Sequence, residues 1–197
     1  MRPAMIDSLL ALDEAFFLFL NGLHQDWLDP IMFAISGKLE WIPLYLFIII
    51  RLIYKYKQAG LIALVALIIT IILTDQVTSG FMKPFFGRLR PTHDPELSAL
   101  VHIINGYRGG LYSFASSHAS NSFALVTFLW LTLRHRERWV GYLFIWASIV
   151  AYSRIYLGVH FPADVIVGAL VGILMANLVF KVYEKLIARY QWPGIER

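Results

Sequence analysis

The sequence has no cysteine. That excludes disulfide staples, thiolate metal sites and cysteine nucleophiles, and it leaves the redox compartment unmarked. Charge is also scarce. Asp, Glu, Lys and Arg make up 15% of the 197 residues, where a soluble domain carries about 25%. No HExxH or CxxC spacing occurs, so the histidines lack the usual frame of a zinc site. What fills the space is apolar: 58% of the residues are hydrophobic and mean hydropathy is +0.63. These values describe a protein whose outer surface faces lipid. The net charge of +4 does not point to nucleic acid, because the basic residues sit in short clusters between apolar runs.

A membrane-crossing helix needs about 20 mostly apolar residues. Candidates run from Trp41 to Tyr54, Ala59 to Phe81, Ser120 to Leu133, Trp139 to Tyr152 and Ala163 to Tyr183. The first is short, and Trp27–Ser36 is able to extend it backwards across a break at Gly37–Glu40. Leu9–Leu23 carries Phe16, Phe17 and Phe19 beside acids, and reads as an interfacial helix or a further span. Asp7, Asp13 and Glu14 interrupt that stretch, which does not read as a signal peptide. The expectation is a single all-α domain over residues 1–197, a polytopic bundle of five or six spans. Residues 1–40 would supply interfacial or additional helices, and 83–117 an outward-facing active-site loop.

Loop charge sets the expected orientation. Arg51, Lys55 and Lys57 form one cluster, Arg134, Arg136 and Arg138 a second, and Lys181, Lys185, Arg189 and Arg197 a third. If the spans alternate, these ten of the 17 Lys and Arg residues share one side. The positive-inside rule makes that side cytoplasmic. Lys83, Arg88, Arg90, Arg108 and Arg154 then lie on the other side, against the bias, and need a different reason.

Three segments meet on that outer side: KPFFGRLRP (Lys83–Pro91), SFASSHAS (Ser113–Ser120) and SRIYLGVHFPAD (Ser153–Asp164). Lys83, Arg90 and Arg154 are able to surround an anion, the arginines through forked donors that match phosphate oxygens. Ser116 and Ser117 precede a helix start, whose N–H groups and dipole favour an anion, and Ser116 has a hydroxyl to donate. Any one of these cations alone reads as a solvated interfacial residue; it is their convergence beside two histidines that argues for a site. His160 and Asp164 are four residues apart. On spacing alone, Asp164 either orients His160 as a nucleophile or simply caps the following helix. His118 is placed to act as a general acid. Asp75 and Ser79 precede Lys83 on one helical face and read as residues that orient the pocket or lock helices together. His93, His102 and Arg108 read as solvated loop residues, and His24 and His135 lie away from the three segments. Three cations in one pocket would repel a divalent metal.

The three segments resemble the type 2 phosphatidic acid phosphatase (PAP2) superfamily, whose pattern is Lys-x6-Arg-Pro, Pro-Ser-Gly-His and Ser-Arg-x5-His-x3-Asp. The first matches Lys83, Arg90 and Pro91, and the third Ser153, Arg154, His160 and Asp164. In the second, Ser116 and His118 match, while Ala115 and Ser117 stand in place of Pro and Gly. The resemblance implies a helical bundle shared with vanadium haloperoxidases, with His160 as nucleophile, Asp164 orienting it and His118 protonating the leaving group. It implies that Lys83, Arg90, Ser116, Ser117 and Arg154 hold the phosphoryl group, without metal or other cofactor. Expected partners are a lipid phosphate and the surrounding membrane lipids, in a bacterial inner membrane with the site facing the periplasm. Undecaprenyl pyrophosphate is the first expected substrate. Phosphatidylglycerol phosphate, phosphatidic acid and lipid A phosphates are the alternatives. The apolar spans argue against a soluble haloperoxidase, and the complete His118, His160 and Asp164 set against a non-catalytic lipid transporter.

Overall fold

The structure, a computed structural model, describes residues 4–195; Arg197, counted above in the third basic cluster, lies outside them. The described residues form seven α-helices: α1 (Ala4–Asn21), α2 (Asp29–Ser36), α3 (Ile42–Asp75), α4 (Lys83–Phe86), α5 (Ser117–Leu133), α6 (Leu143–Tyr156) and α7 (Pro162–Tyr190). There is no strand among the described residues, only one isolated bridge between Leu89 and Tyr112. Two stretches, Leu39–Phe86 and Pro162–Tyr190, are long and apolar enough to cross a membrane.

Helix α3 is two helices in one. At Lys57 the backbone turns left-handed (φ 54°, ψ −125°) and the chain doubles back, so that Gly60 lies against the carbonyl of Leu52. A side chain at Gly60 would overlap that carbonyl. The separate spans read on either side of Lys57 are therefore separate helices. The second arm does not stop at Asp75. It passes through a π-helical stretch, Gln76–Met82, into α4. Pro84 has no N–H to give and its ring crowds the carbonyl four residues back, so the widened π register lets the helix continue. Gly87, left-handed at φ 57°, ends it.

Two boundaries differ from expectation. Lys83 belongs to this continuous helix, not to a loop, and the loop begins at Gly87. Helix α6 runs on to Tyr156, so Ser153 and Arg154 are helical rather than part of the connection to α7. The reason is local: nothing from Ser148 to Tyr156 breaks a helix, and the first glycine is Gly158, left-handed at φ 73°.

Helices α3, α5, α6 and α7 share one large core around Leu52, Val126, Phe128, Leu129, Ala147 and Phe180. Helix α7 approaches α5 closely. A side chain at Gly168 or Gly172 would overlap the carbonyl oxygens of Ser116 and Ser120, the small-residue spacing that lets two backbones meet. The basic clusters gather at one end, where Arg51 and Lys55 of α3 both reach Glu137 between α5 and α6. The motif residues occupy the opposite end.

Helix α1 lies across that motif end. Asp13 accepts from the N–H of Ala163 at 2.8 Å, Phe17 is fully buried with its ring edge-on to Phe161, and Asn21 donates to the carbonyl of Tyr156 at 2.8 Å. All three contacts fall on the short stretch 155–163. A helix running along the bundle would touch it only once. Helix α2 sits at the same end, with Asp29 accepting from the Tyr156 hydroxyl at 2.7 Å. Residues 37–41 separate α2 from α3, so α2 does not extend the first span.

Candidate active site

Lys83, Arg90, Ser117, His118, Arg154 and His160 line one cavity of about 630 Å³. Each arrives by a different device. Lys83 comes from the first turn of α4, and its ammonium donates to the Ser117 hydroxyl. Arg90 comes from a loop pinned by a short ladder, with Arg90 N–H on the Leu111 carbonyl at 3.1 Å and Ser113 N–H on the Arg88 carbonyl at 2.8 Å. Its Nε donates to the Tyr112 carbonyl at 3.2 Å. Arg154 comes from the last turn of α6, is 2% exposed, and donates to the hydroxyls of Ser36 and Tyr107.

These cations lack counter-ions. None of the three forms an ion pair among the described residues, and Arg90 Nη1 and Arg154 Nε are buried without an acceptor. A buried charge left unpaired costs several kcal/mol. Burial, with Arg154 nearby, pulls the Arg90 guanidinium down to about 10, which still leaves it charged at neutral pH. The site is thus a set of fixed positive charges with unused donors, and its chemistry calls for an anion.

His160 sits in the connection before α7, almost fully buried. Its Nδ1 is 3.4 Å from Asp164 Oδ2. The same carboxylate oxygen accepts from the N–H of Phe161 at 2.9 Å. Asp164 therefore caps α7 and also contacts His160. Burial first, then Arg90, Arg154 and Lys83, hold the His160 imidazole well below its ordinary value. It is neutral at neutral pH, and with Nδ1 against the carboxylate the lone pair lies on Nε2.

Ser116 stands one layer behind the cavity. It is the N-cap of α5: its hydroxyl accepts from Ala119 N–H at 3.5 Å, and its own N–H donates to the Asp164 carbonyl at 2.9 Å. This last bond ties the first turn of α5 to that of α7, which places His118 and His160 on the same cavity. Ser117 lines the cavity itself, between Lys83 and Ser79, whose hydroxyl is 2.7 Å away.

Several residues at the site were not singled out by the sequence reading. Arg88 bridges Asp164 (3.1 Å) and Asp13 (2.7 Å) and stacks over the Phe161 ring at 3.8 Å. Asp13, read as an interruption of an apolar stretch, is the outer member of a chain that runs Asp13–Arg88–Asp164–His160. An acid in an otherwise apolar helix was the available signal. Ser36 and Tyr107 hold Arg154, and Lys38 also lines the cavity. His102 is no solvated loop residue: its Nε2 is 2.9 Å from Asp29 Oδ2, and His24 stacks on its ring at 3.7 Å. Arg108 closes its own loop on the Thr92 carbonyl at 2.9 Å.

An all-helical bundle thus sets two histidines and three cations without ion pairs among the described residues on one cavity, with the buried Asp164 against His160. Residues 59–188 match the PAP2 superfamily, and the chain belongs to that family; it is a PAP2-type phosphatase. The lipid A 4'-phosphatase of Bacteroides thetaiotaomicron is 39% identical over 191 residues, covering 95% of this chain and 84% of the relative. That of Porphyromonas gingivalis is 37% identical over 193 residues, covering 96% and 79%. Among solved structures, the transmembrane PAP2-type phosphatidylglycerolphosphate phosphatase of Bacillus subtilis superposes with a TM-score of 0.64 at 26% identity, over 93% of this chain and 89% of that one.

Proposed function

We propose that this chain removes phosphate from a membrane glycolipid of the lipid A class through a phosphohistidine at His160. The observation that carries the chemistry is a trio of cations, Arg90 and Arg154 buried and Lys83 half-buried, without carboxylate partners beside a neutral histidine. His160 Nε2 attacks phosphorus while Lys83, Arg90, Arg154 and the first-turn N–H groups of α5 hold the three phosphoryl oxygens. The P–O bond to the lipid breaks, and His118 gives its proton to the departing oxygen. The bound phosphate supplies the negative charge that favours a protonated His118. Water then attacks phosphorus, His118 takes a proton from it, and phosphate leaves His160 free. The charge clamp made by cations elsewhere falls to metal ions in phosphoryl transfer, and no step here needs one.

The substrate ranking changes from the sequence reading. Relatives named for undecaprenyl diphosphate are more distant, at 30% and 26% identity. Lipid A phosphate, an alternative there, moves to first place. Five helical passes carry the bundle: 42–56, 58–86, α5, α6 and α7. The Arg51–Glu137 end faces the cytoplasm by the positive-inside rule. The motif end, with α1 and α2 lying across it, opens toward the outer leaflet.

Phosphate release in detergent with EDTA tests the chemistry. Activity should persist in EDTA, a denatured quench with labelled lipid should trap phosphate on protein, and His160→Ala should abolish both. Full activity in His160→Ala would falsify the mechanism. Side-by-side hydrolysis of lipid A, undecaprenyl pyrophosphate, phosphatidylglycerol phosphate and phosphatidic acid ranks the substrates.

A further inference from the structure

The cavity does not end at the phosphate site. Four-residue steps along one face of the second arm of α3 take its wall from Lys83 to Ser79, Asp75 and Ile71. Along α5 it runs from His118 to Asn121 and then Leu125. The first wall passes from a lysine through a hydroxyl and a carboxylate to an apolar side chain, and the second from a histidine through an amide to an apolar side chain. The middle layer is the unusual part. Asp75 Oδ1 accepts from Ser79 at 3.2 Å and from Asn121 at 3.4 Å, and it has no ion pair among the described residues. Asn121 Oδ1 is buried without a partner, as is the indole N–H of Trp146, which also lines the cavity.

We propose that Asp75, Ser79 and Asn121 form a subsite for the neutral, hydroxyl- or amide-bearing group bonded directly to the phosphate, which in a glycolipid is the sugar ring. The proposal rests on the glycolipid reading above and deepens it.

The charge order along the cavity selects among lipid phosphates. A polyprenyl diphosphate bonds the reacting phosphate to a second phosphate and then to hydrocarbon, so the polar layer would meet an anion beside Asp75 or an apolar chain. A phosphatidylglycerol phosphate places a short hydroxyl-bearing glycerol there but follows it with a second anion, the phosphodiester, near the Asp75 carboxylate, and like charges repel. A hydroxylated ring both donates and accepts. It gives Asp75 a donor, gives Asn121 Oδ1 its missing one, and leaves the acyl part for the apolar layer of Ile71 and Leu125. Trp41 and Trp146, in edge-to-face contact at 5.3 Å, add apolar faces on which the C–H side of a sugar packs.

A purely supporting role is the competing account. Asp75 leads through Ser79 and Ser117 to Lys83, so it is able to act by holding that lysine. The two accounts differ in what they do to substrate preference. The experiment compares the detergent-solubilised full chain with Asp75→Asn and Asn121→Leu on two substrates, a lipid A-type phosphorylated glucosamine lipid and phosphatidic acid. The quantity read is the ratio of the two kcat/KM values, which does not depend on the fraction of folded protein. Loss of a hydrogen bond to a charged or buried polar group predicts that the ratio falls about tenfold in each variant. A wild-type preference for the sugar-linked phosphate that both variants keep, with the two rates falling together, overturns the subsite and leaves the glycolipid reading standing. No preference in the wild-type protein overturns both.

Discussion

The two ends of the bundle each bury a carboxylate, and they treat it differently. Glu137, at the basic end, is 3% exposed and is enclosed by donors: Arg51, Lys55 at 2.9 Å, the Tyr56 hydroxyl at 2.6 Å and the Trp139 indole. It borders no described cavity. Asp164, at the motif end, is fully buried, but it passes its charge on, to His160 on one side and Arg88 on the other. Each of the four side chains around Glu137 donates to its carboxylate. Around Asp164, the chain of contacts ends on a histidine that faces an open cavity, beside arginine donors with nothing to bind. A closed cage fastens helices; an open one has chemistry left to do.

The comparison breaks most sharply at the carboxylates themselves. Asp164→Asn keeps the shape and the helix cap acceptor but removes the charge that fixes the His160 tautomer. Activity should fall by about two to three orders of magnitude, with a modest change in thermal midpoint, measured as phosphate release against a melting curve on one preparation. An Asp164→Asn protein with near-wild-type kcat would reduce Asp164 to a cap.

Arg88→Ala probes the next link. It leaves Asp13 and Asp164 buried with no cation between them, and breaking a buried pair costs roughly 3–5 kcal/mol. Arg88 lies close to one-fifth exposed, so the lower end of that range is expected. Arg88 positions Asp164 and does not line the cavity, so a supporting role predicts a displaced pH–rate profile as well as lost stability. Arg88→Lys should restore part of both. An unchanged profile in Arg88→Ala would separate Arg88 from the reaction.

Glu137→Gln is the control from the other end. Burial pushes the Glu137 carboxyl up, but the hydrogen bonds from Tyr56, Lys55, Arg51 and Trp139 outweigh it and hold the group at about 2. A depressed carboxylate stabilises the fold above its unfolded value, near 4.3, and that contribution is lost as pH falls through about 2. Arg51 and Lys55 are both about two-fifths exposed, so solvent screens part of the attraction. The variant should lose about 1–2 kcal/mol at neutral pH, show a flatter acid limb between roughly 4.5 and 2, and keep its activity per folded molecule.

The same contrast explains what was legible in the sequence. Lys83, Arg90 and Arg154 stand against the charge bias of their side of the chain, and that anomaly beside His118 and His160 marks a site before any fold is known. Arg88 stands in the same segment, yet the Lys-x6-Arg template steps over it. Its two carboxylate partners lie 75 and 76 residues away, a pairing no local spacing encodes. Glu137 was hidden by its neighbours: it stands between Arg136 and Arg138, in a segment read only for its basic residues. Arg51 and Lys55 entered the reading only as members of a basic cluster, and their fixed geometry comes from Glu137. Helix ends were misplaced at Arg154, where α6 runs on without a breaker, and at Lys83, where the π-helical stretch carries the helix through Pro84. The break at Lys57 was visible because polar residues interrupt the apolar run there.

The smallest expected effect tests how the cations are held. The donors around Glu137 come mainly from a helix, whereas Arg90 depends on a loop, and that loop must leave room for its guanidinium. Gly109 provides it. Its φ is +68°, and a side chain there would overlap Arg90 Nη1. In Gly109→Ala the left-handed backbone costs about 1 kcal/mol, and the methyl group pushes the tip of a flexible side chain rather than backbone. Arg90 should shift by a few tenths of an ångström without leaving the site. The cost then falls on binding more than on chemistry: KM should rise about threefold to tenfold while kcat changes less, a split read from initial rates across substrate concentration. Gly106, left-handed at φ 68° in the same loop with nothing near its Cβ position, supplies the comparison. Gly106→Ala carries the backbone strain without the overlap, so an equal rise in KM for the two variants would mean that loop strain, not the placement of Arg90, sets the affinity.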